Sequence, residues 1–436
     1  MIDLSKNINF NIYGQKPKHY FFGYYDKSPI DIKRQYLLTH EANQISKYPH
    51  KDEFIKIGYF KYNDKNNFIS LAKTSAWNWQ IGSRLQWIGD GQTGEIIFNV
   101  KENNKILSKI LNIKTLKEEV LPISIFDVSN NKKFALGLNF ARLHIFRKGY
   151  GYDNGLRYED VEKKPSNDGI YFIDLHSKEN KIIISLKELA NFKELKSMKS
   201  AYHWVNHIMI NKDCTRFAFL HRWQESKGAF NSRLITANID GTNLNCLVDS
   251  GNVSHFTWKS NSQVIAWCRL KNNFDVLKTK KNSNFFFKIG KFIVHKLKIR
   301  KSTLVQSMIK ENFWLIDDLN NLKPSKLKYN FNQDGHCSYF IGNNLMLNDS
   351  YPNKKNKYSL YLYNFNKNIC YKLYTFNSIP CKKKINSLVN WDNSVLRCDL
   401  HPKWSFDGKL AIVDTVHNGS RQIFVYDVNE ILEQND

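Results

Sequence analysis

Along most of this chain apolar and polar positions alternate in short runs that end in turn residues, the pattern of half-buried strands rather than helices. The runs "GIYFIDL" from Gly169, "RLITANIDG" from Arg233, "FWLIDDL" from Phe313, "SLYLYNF" from Ser359 and "QIFVYDV" from Gln422 are aromatic or β-branched. Each reads as an outer strand closed by a turn. A second unit recurs among them. His401 leads into a short strand, and Asp407-Gly408 follows six residues later as a turn. His207 with Asp213-Cys214, His255 with Asn261-Ser262 and His336 with Gly342-Asn343 keep that layout. Three more units fit without the histidine: Tyr25 precedes Asp31, Arg84 precedes Asp90-Gly91 and Ile125 precedes Asn131, each by six. Seven leads, with roughly 40–50 residues and about four strands per unit, predict an all-β fold, a seven-bladed β-propeller. The leads are unevenly spaced, so some blades carry long insertions. The best helical periodicity is "IISLKELANFKELKSM" around residues 183–198.

Composition fits one large domain. The chain has 436 residues, 42% hydrophobic and 14% aromatic, with 9 prolines, enough to bury a sizeable core, and residues 1–436 read as a single propeller domain. No run of 18 apolar residues is present, so a membrane span is not expected. The opening "MIDLSKNINFNIYG" lacks a basic start followed by an apolar stretch, so no secretory signal is expected. Seven cysteines, an odd number without a Cys-x-x-Cys pair, read as reduced thiols and place the protein in the cytoplasm.

Charge changes the picture at one place. The formal net charge is +25, and between Arg269 and Lys310 twelve Lys or Arg face a single acid, Asp275. Phe285-Phe286-Phe287, Phe292, Ile293 and Val294 are interleaved with them. Residues 270–310 therefore read as a Lys-rich basic insertion within the fifth blade. It is either a solvated loop or an arm that docks on a protein partner or peripherally on the inner membrane. No recognised nucleic-acid module accompanies the charge, so nucleic acid is not expected as a partner.

In a closed ring the four histidines at one repeat position point at a common centre. Imidazoles held on separate rigid strands make a good metal site, and nitrogen with oxygen ligands suits Mn, Fe or Zn. Channel histidines that merely hydrogen-bond are the other reading. Cys337 follows His336, and Cys398-Asp-Leu-His401 is a Cys-x-x-His half-site, so a structural zinc is a third. The same predicted face carries Tyr24, Tyr25, Trp79, Arg84, His221, Arg222, Tyr351 and Arg397. Its aromatics either stack on sugar rings or pack the core. Asp349 and Asp414 occupy matching places after the second strands of blades six and seven, as blade-closing hydrogen-bond acceptors would.

The histidine ahead of "W-S-x-D-G-K", with "DGH…ND…YP" and "RCDLHPKWSFDGKLAIVDT.H.GSRQIFVYD", resembles the propellers of the oligogalacturonate lyase type. Ulvan lyases are similar more distantly. The likeness spans essentially the whole chain and is strongest from about residue 200. It implies a divalent metal, Mn or Zn, held by His255, His336 and His401 with Gln333, and Arg222 as the base. Chains of this look occur in surface-polysaccharide gene clusters, which implies a role in surface-polysaccharide metabolism. His207, the cysteines and the basic insertion fall outside the pattern.

The reaction implied is β-elimination on an anionic, uronate-containing oligo- or polysaccharide. A cation must neutralise the carboxylate while a base removes the proton α to it. An arginine base needs its pKa lowered by burial and neighbouring cations, so His221, His207 and Tyr25 compete with Arg222 as base or acid. Arg84, Trp79, Tyr24, Arg397 and Tyr351 are the substrate-binding candidates. The alternative is a non-catalytic propeller, a scaffold or glycan-binding subunit of a membrane-associated polysaccharide assembly system.

Overall fold

Seven twisted sheets stand around one axis, four strands to a sheet in chain order, and blade six carries a fifth. The computed structural model describes residues 1–5, 8–44, 49–226, 228–270, 311–320, 322–378, 397–429 and 431. Blades one to three run from His19 to Thr74, Gln86 to Leu121 and Asp127 to Ser185. Blades four and five run from Tyr202 to Gly251 and from Val253 to Lys326, and blade six from Ser338 to Asn377. Blade seven takes three strands from the chain's end (Lys403–Trp404, Leu410–Thr415, Gln422–Asp427). Its fourth is Asn11–Tyr13, paired antiparallel with Ile12 opposite Phe424. Ile2–Asp3 adds a parallel strand to the outer edge of blade six.

The fold class is the one expected, a seven-bladed propeller. The five aromatic runs read as outer strands are the third strands of their blades, and a further strand lies outside each. Second strands lose the alternation of the third. Phe134–Leu138, Arg216–Gln224, Leu345–Asp349 and Leu410–Thr415 are buried at every position, because neighbouring blades cover both faces.

Two devices join neighbouring blades at five of the seven junctions. The first is an indole three residues after a lead. Trp87, Trp258 and Trp404 each donate Nε1–H to a carbonyl of the preceding blade: Pro29 at 3.0 Å, Met209 at 2.9 Å and Ser338 at 2.9 Å. The second is a polar side chain on a second strand that receives the backbone of the next lead. His40 accepts from Ser83 N–H at 3.2 Å, and Asn99 exchanges two bonds with Ile125 at 2.8 and 2.9 Å. Asp349 accepts from His401 N–H at 3.2 Å, and Asp414 from Phe22 and Gly23 N–H at 3.1 and 2.9 Å. The matched aspartates are thus the blade-closing acceptors expected. Gly23 has φ +119°, and a Cβ there would lie 2.8 Å from the Ile81 carbonyl carbon, so that junction requires glycine.

The helical stretch at 183–198 is shorter than its periodicity suggests. Residues 183–185 end a strand, α2 covers Leu186–Asn191 with a Ser185/Glu188 capping box, and Lys196–Met198 is a 3₁₀ turn. A helix not foreseen, α1 (Phe140–Phe146, capped by Asn139), lies in the long connection between the second and third strands of blade three. The basic insertion expected at 270–310 lies outside the described residues from 271 onward, between strands Gln263–Cys268 and Asn312–Asp317. The six described cysteines are free thiols. Among the described residues no helix is long and apolar enough to cross a membrane.

Asp414 also accepts from the Lys403 ammonium at 3.3 Å, and both groups are buried. Replacing Asp414 by Ala strands a buried cation and orphans two backbone donors, so we expect a loss of about 3–5 kcal/mol, read as a lower thermal midpoint. The pair Lys403→Met with Asp414→Asn recovers much of it.

Candidate active site

The leads converge because each lies on or beside the innermost strand of its blade. The His255 and His336 ring centroids are 4.3 Å apart, and those of His336 and His401 are also 4.3 Å apart. His207 and His401 take φ of +57° and +43°, conformations that turn their side chains out of the strand direction. The fourth histidine stands apart behind two tyrosines. His207 packs on Phe256 at 4.4 Å, with the Tyr25 hydroxyl 3.2 Å from its Nε2 and the Tyr24 hydroxyl 3.5 Å from its Nδ1.

The three adjacent histidines are set up as ligands. Asp334 lies 3.0 Å from His255 Nδ1, and Asp349 lies 3.0 Å from His336 Nδ1. With Nδ1–H donating to its carboxylate, each ring would be held in a fixed orientation, the arrangement that orients metal-binding imidazoles. Nε2 of His336 and of His401 are buried without a hydrogen-bond partner among the described residues. Such orphaned acceptors are costly unless something fills the space between them. Burial, then the neighbouring His336, hold His401 well below the usual histidine range; at His336 burial acts downward, but Asp349 together with Asp399 and Asp334 raises it.

Ligand atoms of His336, Asp399 and His401 all lie within 4.8 Å of one another. Two imidazoles and a carboxylate, with a third imidazole adjacent, fit Mn, Fe or Zn. Asp399 is the residue that sequence reasoning missed; it lies two positions before a lead, and Arg397 forks onto it (Nη2 to Oδ2 2.9 Å). Gln333, expected as a ligand, is exposed. The cysteines expected to bind zinc join no such cluster among the described residues. Burial pushes the Cys337 thiol well up and the Cys398 thiol to about 12, so both stay protonated.

Beside the histidines opens a cavity of about 400 Å³ lined by Tyr24, Arg147, Tyr150, Arg222, His255 and Tyr351, among others. Arg222 is 6% exposed, its Nη1 has no partner among the described residues, and its Nε meets Ser232 Oγ at 3.3 Å. Burial, then the nearby Arg147, lower its pKa to about 9. Tyr24 and Tyr351 line the same cavity, and burial raises both phenols well above their usual value.

Other expected site residues are spent elsewhere. His221 neighbours Arg222 on one strand and so faces the opposite way. It accepts from Arg233 Nε at 2.9 Å and lies 2.9 Å from His203 Nδ1. Arg84 forks onto Asp26 at 2.9 and 2.7 Å and donates its Nε–H to the Phe126 carbonyl. Trp79 packs in a buried cluster with Phe21 and Trp77 under the Arg421 guanidinium. Tyr25 is buried, bonded to the Phe256 carbonyl at 2.9 Å. Arg397 reaches the cavity's edge, stacked 4.4 Å over Tyr351. Arg147 and Tyr150 went unforeseen; the signal was the length of chain between "FALGL" and "GIYFIDL", far more than a hairpin needs.

These features define a seven-bladed propeller whose channel mouth holds a buried histidine cluster next to a cationic cavity. No family model and no curated protein sequence matches the chain. Among solved structures it is similar to an oligogalacturonate lyase in complex with manganese, at TM-score 0.58 and 14% identity over 96% of each chain. It is also similar to an oligogalacturonate lyase from Vibrio parahaemolyticus, at TM-score 0.56 and 11% identity over 97% of each chain. What is shared at these identities is the propeller fold.

Because both thiols are buried and protonated, we expect Cys337 and Cys398 to stay unlabelled by a thiol reagent in the folded protein at mildly alkaline pH. Both should label after denaturation, as peptide mass spectrometry would record.

Proposed function

We propose that the protein is a carbohydrate-active enzyme, a lyase that cleaves an anionic, uronate-containing oligosaccharide by metal-assisted β-elimination. The observation that carries this reading is Arg222: a buried guanidinium with an unpartnered nitrogen, lowered to about 9, in the cavity that also exposes His255. His336 and His401, with Asp399 or His255, would hold the divalent cation, which supplies positive charge to the uronate carboxylate.

Neutral Arg222 takes the proton from the carbon α to that carboxylate. The electron pair left behind forms the new carbon–carbon double bond, and the bond to the β-oxygen breaks. A phenol delivers a proton to the departing oxygen; Tyr24 and Tyr351, both protonated and both on the cavity wall, are the groups in reach. His207 and Tyr25, weighed earlier for this work, are bonded to one another behind that wall. The similarity of fold to oligogalacturonate lyases supports an oligosaccharide ligand.

Four outcomes test the reading. Incubation with uronate oligosaccharides should yield a product with the ultraviolet absorbance of an unsaturated uronate, and a chelator should abolish it. Arg222→Ala should lower kcat by roughly 10²–10⁴-fold. The base works only when neutral, so kcat/KM should rise about tenfold per pH unit from neutrality and level off near about 9. Elemental analysis should find a stoichiometric transition metal that is lost in the His336→Ala, His401→Ala double variant. A protein that binds the glycan but never cleaves it, under any metal, would instead favour the non-catalytic scaffold.

A further inference from the structure

We propose that Arg147, at the end of α1 in the blade-three connection, binds the ligand's carboxylate and makes the cavity selective for acidic over esterified sugars. This deepens the proposed function and depends on it for the kind of ligand, not for the cleavage.

The cavity brings two guanidiniums to one phenyl ring. Arg147 lies 4.9 Å and Arg222 5.0 Å from the centroid of Phe230. Like charges so close in a partly desolvated site repel, and an anion between them would relieve that repulsion. Of the nearby carboxylates, Asp334 accepts from Ser254 and pairs with His255, Asp399 holds Arg397, and Glu311 lines the cavity without an ion pair to Arg222 among the described residues. Among the described residues no ion pair is made by Arg222.

The two arginines are not equivalent. Arg222 is buried at 6% exposure within a strand, whereas Arg147 is half-buried and lines the cavity from the blade-three connection. Its backbone is fixed. The Arg147 N–H donates to the Leu143 carbonyl at 2.7 Å, and its own carbonyl accepts from Tyr150 at 2.8 Å and Gly151 at 3.2 Å. A Cβ at Gly151 would lie 2.0 Å from the His144 nitrogen, so the turn closes tightly. Arg142 fastens the connection to blade four through the His203 carbonyl at 2.7 Å. A charged fork on a fixed arm in the cavity wall is what bidentate recognition of a carboxylate requires. Its positive charge also offsets the negative charge that the bound carboxylate brings to Arg222, which keeps the base poised.

The test uses the full chain, with trigalacturonate and its methyl ester as probes, and calorimetry on the wild type, Arg147→Gln and Arg147→Lys. The wild type should bind the acid at least about tenfold more tightly than the ester. With the cation removed by a chelator, so that its own share of carboxylate binding is gone, Arg147→Gln should abolish that preference while binding the ester as before, and Arg147→Lys should keep part of it, having the charge without the fork. In cleavage, the alkaline rise should move to higher pH in Arg147→Gln, since a cation beside Arg222 is gone, and stay near its place in Arg147→Lys. A wild type without preference for the acid, or an Arg147→Gln variant that retains it, overturns the proposal. A wild type that binds the acid selectively and forms no unsaturated product sinks the lyase reading and leaves this one standing.

Discussion

Everything at the centre of this molecule depends on how one blade is tied to the next. A polar side chain on each of four second strands catches the backbone of the following lead, and three indoles reach back from inner strands to the blade before. These bonds fix both the angle between sheets and the height of each lead along the axis. Without them the leads would still lie on or beside inner strands, but the His336 and His401 rings, whose blades the Asp349 and Trp404 bonds join, would have no reason to settle with centroids 4.3 Å apart. The same aspartate that anchors a blade can also orient a ligand: Asp349 accepts from the backbone of both His336 and His401 and from the His336 ring. Scaffold and site are one network there.

That doubling explains which parts of the molecule were legible in its sequence. The repeat of lead, strand and turn is enforced seven times by the same packing problem, so the blades and the convergence of His255, His336 and His401 could be read directly. Strand parity was misjudged once. His221 and Arg222 are adjacent on a strand and cannot both face the channel, and the structure gives the cavity to Arg222. Arg84 looked like a ligand-facing cation, but a buried guanidinium with a buried carboxylate nearby is consumed by it. The tryptophans followed a rule that spacing alone did not expose, since only three of the seven leads carry the indole.

The parts not legible come from departures from the repeat. Arg147 and Tyr150 lie on a connection found in one blade, and nothing in a periodic pattern says where such a segment folds back. Its capped helix, its glycine turn and the Arg142 clamp specify that return locally. Asp399 was hidden for a related reason: it sits just outside the repeated motif, beside Arg397, which the sequence suggests as a substrate-binding cation and which is in fact paired with it.

The seventh blade is shared between the two ends of the chain, with Ile12 paired to Phe424. A growing polypeptide therefore carries the first six leads long before it can shape the centre they frame. His401 belongs to that last blade and stands between His336 of the sixth and Tyr24 of the first, so its neighbours come from segments far apart in the chain. Contacts of such large sequence separation form slowly. The histidine cluster is therefore completed late, by the packing that also brings the seventh blade against the sixth.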